Sequence, residues 1–285
     1  MIGYLNGRYL PQENIVISPE DRGFLFADGI YEVIRSYGGK LFRAKAHLDR
    51  LSHGARSLQF NQTDFSFLER VCERLIQDNQ LTQGDAVIYM QVTRGVAPRS
   101  HAFPPIETPL TVYATAKPFQ PHRQEYENGI RVILVPDQRW ARCDIKTIGL
   151  LANTLAHQRA RKSHAAEGLF VRDGAVTEGT HSNVMAVFDG KLITPPRTNY
   201  MLAGITREFV LSLCGKLSIP FSETPLYESD ILNADELMIV GTTVEVTPVI
   251  AVNGENIGSG APGPVTRKLQ KAFHLSDSFD GGTNP

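Results

Sequence analysis

Leu169-Phe-Val-Arg-Asp173-Gly174-Ala-Val-Thr-Glu178-Gly-Thr-His-Ser-Asn183-Val-Met-Ala-Val-Phe188-Asp189-Gly190-Lys-Leu-Ile193 decides the fold class. Two Asp-Gly pairs each separate runs of apolar and β-branched residues. That is the signature of two-residue turns joining antiparallel strands. The same pattern recurs at Gly38-Gly39, before Lys40-Leu-Phe, and at Asn253-Gly254. Further strands are expected at Ala86–Thr93, Leu110–Thr115, Ile130–Val135 and Glu236–Val240, all rich in β-branched and aromatic residues. Helical spacing links Leu48, Leu51, Ala55 and Leu58, then Leu68, Val71, Cys72 and Leu75. It also links Ile148, Leu151, Ala152 and Leu155, and Ile205, Phe209, Leu213 and Leu217. Hairpins dominate the connections, so the expected class is α+β with antiparallel or mixed sheets rather than a doubly wound parallel fold.

The chain has 285 residues, 42% of them hydrophobic and 21% charged, with 29 Lys plus Arg against 30 Asp plus Glu. That length favours two packed domains. Two prolines in Lys117-Pro-Phe-Gln-Pro-His-Arg-Gln124, between two strands, mark the linker. The expected division is a small N-terminal α+β domain over 1–117, a linker over 118–124 and a larger α+β domain over 125–285. Ser276–Pro285 has almost no apolar content and is expected to fray. A formal net charge of −1 gives no overall attraction to nucleic acid or to an anionic membrane. Cys72, Cys143 and Cys214 lack metal-ligand or disulfide-framework spacing, so no metal is expected. No leader-like or membrane-length apolar run is visible, which points to the cytoplasm.

Several segments can carry chemistry. Lys146, in Asp144-Ile-Lys-Thr147, adjoins an apolar-periodic helix. Partial desolvation there favours the neutral amine that carbonyl chemistry needs, although a solvated surface lysine is the commoner case. Glu178 lies in a polar bend, Thr177-Glu-Gly-Thr-His-Ser-Asn183, where it can face a heterocycle nitrogen or simply belong to a turn. Gly204-Ile-Thr206 opens a helix and exposes N–H donors to an anion, as every helix start does. Gly241-Thr-Thr243 follows a strand and can add donors or merely end it. Arg94-Gly-Val-Ala-Pro-Arg99-Ser-His101 is a basic loop in which Arg99 and His101 can converge on a carboxylate, or stay solvated. No Gly-x-Ser-x-Gly elbow or zinc motif supports a hydrolase.

Taken in order, the strings Glu20-Asp-Arg-Gly-Phe-Leu-Phe-Ala-Asp-Gly-Ile-Tyr-Glu-Val33, His47-Leu-Asp-Arg-Leu51, Val92-Thr-Arg-Gly95, Arg139-Trp-Ala-Arg-Cys-Asp-Ile-Lys146, Val176-Thr-Glu-Gly179, Gly204-Ile-Thr-Arg207 and Glu245-Val-Thr-Pro248 resemble the fold-type IV pyridoxal-phosphate aminotransferases, most closely the D-amino acid aminotransferase branch. The resemblance spans Gly3 to Leu275. It implies a two-domain fold of that type with pyridoxal 5'-phosphate (PLP) between the domains, and a ping-pong exchange of an amino group between a D-amino acid, such as D-alanine, and a 2-oxo acid, such as 2-oxoglutarate.

By the same resemblance Lys146 is the Schiff-base lysine and proton shuttle, and Glu178 pairs with the pyridine nitrogen. Arg50, Ile205, Thr206 and Thr242 hold the phosphate, Arg139 supports the cofactor, and Leu202 packs beneath its ring, with Gly204 and Gly241 alongside. Tyr31, Arg99 and His101 bind the substrate carboxylate, the last two reaching in from the partner subunit of a homodimer. His181, Thr242 and Thr243 complete the substrate side. His181 and Gly241 stand where the D-amino acid enzymes usually carry serines, which bears on substrate range. The alternatives on this framework are a branched-chain L-amino acid aminotransferase, an (R)-amine transaminase and an aminodeoxychorismate lyase-like enzyme. A catalytically silent α+β binding protein is the alternative from another class.

Overall fold

All four two-residue turns form, each between antiparallel strands. Arg172 pairs with Ala175 across Asp173-Gly174, and Phe188 with Lys191 across Asp189-Gly190. Tyr37 pairs with Lys40, and Val252 with Glu255, across the other two. Both central residues must take positive φ in such a turn. Asp173 and Gly174 do so at 52° and 76°. The structure, a computed structural model, describes residues 1–275, and the fraying expected of Ser276–Pro285 lies outside them.

Two compact units emerge, one of Met1–Gln120 with Ile145–Gly149, the other of Pro121–Asp144 with the described chain from Leu150 onward. In the first, β1 (Ile2–Leu5), β2 (Arg8–Pro11), β3 (Gly29–Tyr37), β4 (Lys40–Leu41), β5 (Asp85–Thr93) and β6 (Thr111–Pro118) form one sheet in the order β2-β1-β6-β5-β3-β4. Every pairing in it is antiparallel. The short helix α1 (Arg22–Phe26) precedes β3, and α2 (Ala44–Ser57) and α3 (Leu68–Asp78) pack on the sheet. Period-two burial of Ile30, Glu32, Ile34 and Ser36 on β3, and of Ala86, Ile88, Met90 and Val92 on β5, meets helical-period burial of Leu48, Leu51 and Ala55 on α2. The two periodicities close one core, in which each buried Leu or Ile contributes about 1.5–3 kcal/mol.

The second unit opens with α4 (Arg123–Asn128) and β7 (Ile130–Pro136), then α5 (Leu151–Lys162), β8 (Glu167–Arg172), β9 (Ala175–Gly179), β10 (Asn183–Phe188) and β11 (Lys191–Thr194). There follow α6 (Ile205–Lys216), β12 (Phe221–Glu223), β13 (Leu226–Tyr227), β14 (Glu236–Gly241), β15 (Glu245–Val252), β16 (Glu255–Asn256) and α7 (Pro264–His274). Its sheet runs β12-β11-β10-β14-β15-β7-β8-β9-β13, with β16 on β15. β7 is parallel to both β15 and β8, so the sheet is mixed. Parallel neighbours need a crossover, and α5 supplies it by packing on β7 and β8. The α+β class with antiparallel and mixed sheets is thus the observed one.

One local expectation is corrected. Ile148 does not start a helix, because α5 begins at Leu151. Nor does the α5 stripe face the core of its unit, since Leu151 is 74% and Leu155 62% exposed. Spacing identifies a helix but not what covers its apolar side. In addition, Ile145–Gly149, which the expected boundary puts in the later piece, packs with the first unit. Ile145 is 3% exposed in the core beneath α2.

Candidate active site

Lys146 owes its position to backbone pairing with β3. Tyr31 N donates to Lys146 O at 3.0 Å, Ile148 N donates to Gly29 O at 3.1 Å, and Ile30 and Thr147 form an antiparallel bridge. The lysine therefore sits on a short extended segment beside the start of β3. Its Nζ lies 4.3 Å from the centroid of the Tyr31 ring, and that ring stacks on Tyr89 at 5.7 Å. The aromatic face places the Nζ through a ring contact.

Arg50, one α2 turn from His47, converges with it on Glu32. Arg50 Nε and Nη2 donate to the two Glu32 oxygens at 2.6 and 2.9 Å, and His47 Nδ1 is 2.8 Å from Oε2. Burial opposes the Glu32 charge, but Arg50 and His47 outweigh it and hold the carboxyl well below its usual range. Burial, opposed by Glu32 and aided by Arg50 and Lys146, lowers the His47 pKa. A neutral imidazole donates from Nδ1, leaving a buried Nε2 with no hydrogen-bond partner.

Both depressed values act in the same direction. Each group releases its proton more readily in the folded chain, so stability is lost as pH falls, first below about 6.5 for His47 and then below about 4.3 for Glu32. Glu32→Gln is expected to cost about 3–5 kcal/mol at neutral pH, because Arg50 stays behind without its buried counter-charge. Urea titrations of Glu32→Gln alone and of Glu32→Gln combined with Arg50→Met check this; if removing Arg50 as well recovers none of the loss, the charge left behind is not its cause.

In the second unit, Glu178 near the end of β9 is 6% exposed. Its Oε1 accepts from Arg139 Nη1, and its Oε2 accepts from Leu202 N at 3.0 Å and Asn183 Nδ2 at 3.3 Å. Arg139 Nε and Nη2 also fork onto Asp137 at 2.9 Å each, with Arg172 Nε at 3.2 Å behind that carboxylate. Burial opposes the guanidinium charge, but Asp137 and Glu178 outweigh it and raise the Arg139 pKa. Glu178 is thus a carboxylate fixed by three donors.

Asn183 connects this carboxylate to the start of α6. Its Nδ2 also donates to Leu202 O at 2.9 Å. A Cβ placed on Gly204, the residue capping α6, would lie 2.0 Å from Asn183 Oδ1. Gly204 makes no side-chain cap bond, and Ile205 and Thr206 behind it are buried. That first turn presents backbone N–H donors in the manner of an anion site.

Thr242 and Thr243 lie in the turn between β14 and β15, beyond Gly241. The adjacent bend carries His181, whose Nδ1 is 3.1 Å from buried Glu167 Oε1, with the imidazole 45% exposed. Burial raises the Glu167 pKa, but the charge and hydrogen bonds of His181 reverse this and lower it overall. Arg99 and His101 are exposed on the loop after β5 and pack on Phe26 at 5.1 and 5.5 Å.

Comparison with known proteins fits this geometry. The amino-transferase class IV family model matches residues 29–252. The chain belongs to the class IV aminotransferases. A D-alanine aminotransferase from Staphylococcus haemolyticus is 42% identical over 95% of this chain and 96% of its own. One from Bacillus licheniformis is also 42% identical, over 95% of each chain. Among solved structures, a branched-chain amino acid aminotransferase from Escherichia coli aligns with TM-score 0.89 at 27% identity, covering 96% of this chain and 93% of the other.

As a class IV aminotransferase the chain contains polar residues to which sequence reading assigned no role. Asn183 ends the quoted bend, yet its contacts to Glu178, Leu202 and Gly204 appear only in three dimensions. Asp137 and Arg172 orient Arg139 across 2 and 33 positions, Arg172 Nη2 donating to Arg139 O at 3.0 Å. Glu32 and Glu167 are fully buried acids. A carboxylate at a core-facing strand position is their one signal in sequence. The expected residues form two groups, Lys146 with Tyr31 in the first unit and Glu178 with Arg139 and Leu202 in the second.

Proposed function

We propose that this class IV aminotransferase is a PLP-dependent D-amino acid transaminase that exchanges the amino group of a donor such as D-alanine with a 2-oxo acid such as 2-oxoglutarate. The observation that carries the cofactor reading is the Glu178 carboxylate, held by Arg139, Asn183 and the Leu202 N–H. A fixed, shielded carboxylate fits a protonated pyridine nitrogen. Through Asn183 it is tied to the uncapped start of α6, where N–H donors fit a phosphate. The full-length relatives named D-alanine aminotransferases support the donor class.

PLP supplies an aldehyde that condenses with amines and a ring that accepts electron density. In this reading Glu178 would keep the ring nitrogen protonated, while Ile205, Thr206, Thr242 and Arg50 would hold the phosphate. Leu202, Gly204 and Gly241 would line the cofactor site. Lys146, set by the Tyr31 face, carries the proton to and from the substrate Cα. Tyr31, Arg99 and His101 fix the α-carboxylate, and His181 with Thr242 and Thr243 borders the substrate. Charge is therefore arranged before reaction, and a single amine moves the proton.

The reading includes a homodimer, supported by the exposed Leu151 and Leu155 of α5. It places the enzyme in the cytoplasm, consistent with three free, buried cysteines. No helix among the described residues is long and apolar enough to cross a membrane.

A second reading, a branched-chain L-amino acid aminotransferase, is favoured by the TM-score of 0.89 to the Escherichia coli enzyme. The deciding experiment follows the visible spectrum of purified, PLP-loaded protein on addition of D-alanine or L-leucine, with turnover against 2-oxoglutarate. D-alanine is expected to bleach the band and support turnover; a response to L-leucine alone overturns the D-specific reading. Arg99→Ala is expected to raise the Michaelis constant for D-alanine by about 30-fold or more, the lower end of what loss of a desolvated charge pair costs. An unchanged constant would remove Arg99 from the carboxylate site.

A further inference from the structure

We infer that helix α1 is the seat of the Arg99–His101 loop, with Arg22 as a positioning residue that holds the loop backbone and Phe26 receiving its side chains. The inference rests on the reading that Arg99 and His101 bind the substrate carboxylate, and it adds what places them there.

Arg22 is 4% exposed although it lies on a five-residue helix. Its Nη1 donates to Ser100 O at 2.7 Å and to Ala102 O at 3.3 Å, the two carbonyls that flank His101. One guanidinium nitrogen thus bridges the loop at the residue it must present. Its Nε donates to Asp28 Oδ2 at 2.8 Å, and Arg94 Nε meets the same oxygen at 2.8 Å. Two buried cations share one carboxylate, so the rest of their charge falls on carbonyl dipoles. Arg94 takes Gln59 O and Leu58 O, and Arg22 takes Ser100 O and Ala102 O. If the loop lifted away, Nη1 would lose both acceptors, which is unfavourable for a buried charged donor.

Phe26, one turn after Arg22 on α1, completes the seat. Arg22 lies 4.8 Å from its ring centroid, Arg99 lies 5.1 Å from it, and the His101 ring is 5.5 Å away. The entry to the loop is pinned to the same segment, because Arg22 N donates to Gly95 O at 2.9 Å and Asp21 bridges Val96. Backbone, cation and imidazole of the loop therefore all refer to one short helix. Such a loop is placed before substrate arrives, which saves the entropy of ordering it on binding.

The test compares wild-type holoenzyme with Arg22→Met, Arg22→Lys and Phe26→Ala. Arg22→Met is expected to raise the Michaelis constant for D-alanine about tenfold or more, with kcat within about threefold and the cofactor absorption band retained, because positioning of the substrate is what is lost. Trypsin cleavage after Arg99 should become about tenfold faster, since cleavage needs the loop to leave its seat. Arg22→Lys, which keeps one donor and the charge opposite Asp28, should recover part of both effects. Phe26→Ala removes a partly buried ring outside the core, keeps the fold and should give about a threefold change in each readout.

Unchanged trypsin sensitivity in both Arg22→Met and Phe26→Ala overturns the inference. If Arg22→Met does not fold, Arg22→Lys and Phe26→Ala decide, and wild-type cleavage rates in both overturn it equally. Arg99→Ala separates the underlying reading. If that variant keeps its Michaelis constant, the carboxylate assignment falls, while the cleavage rates still decide whether α1 seats the loop.

Discussion

Lys146→Ala is expected to lower kcat by at least about 10⁴-fold while leaving the fold intact. The magnitude follows from removing the one group that serves both as covalent partner and as proton carrier, for which losses of about 10⁴ to 10⁶ are usual. The fold should survive because the position of residue 146 is set by its backbone. The Tyr31 N to Lys146 O bond and the Ile30–Thr147 bridge do not involve the side chain. The visible side-chain contact, with the face of Tyr31, contributes about 0.5–2 kcal/mol. The expected result is therefore an inactive enzyme with a near-normal melting temperature, lacking the visible absorption of the covalently linked cofactor. Methylamine added to the variant should restore a small, concentration-dependent fraction of turnover, because a free amine can carry the same proton. Turnover within about tenfold of wild type would exclude Lys146 from the chemistry.

What could be read from the sequence depended on how far apart the cooperating residues lie. The Asp173-Gly174 and Asp189-Gly190 turns are local chemistry, because two adjacent residues must both accept positive φ, and they were legible. So were the α2 and α3 stripes, which repeat within a few turns. Lys146 and Glu178 stand out as candidates only as parts of ordered motifs, since either residue alone reads as a surface lysine or a turn. Arg22 shows the limit. Its acceptors lie 78 and 80 positions away, and its burial follows from an Asp28 carboxylate shared with Arg94. Nothing in Asp-Arg-Gly-Phe signals that arrangement. The α5 stripe fails for the converse reason: periodicity gives the helix and its apolar side, but burial is a property of whatever packs there.

Glu178→Gln is expected to lower kcat by about 10²- to 10³-fold, the range seen when one preorganised electrostatic contact is removed, with the cofactor still bound. Glutamine keeps the size of the side chain and one oxygen, so the Leu202 N–H at 3.0 Å retains an acceptor. Arg139 retains both contacts to Asp137 at 2.9 Å, so it is not left as a buried charge without a counter-ion. The stability loss should accordingly stay near 1–3 kcal/mol, that of a disturbed charged hydrogen bond. What glutamine cannot supply is the negative charge that keeps a pyridine nitrogen protonated. Asp137→Asn makes the complementary prediction. It weakens the hold on Arg139 yet leaves Glu178 charged, so its loss should be mainly in stability, with kcat within about tenfold of wild type. If Glu178→Gln retained wild-type kcat, Arg139, Asn183 and Leu202 would be gripping a structural carboxylate, and the cofactor reading would lose the observation on which it stands.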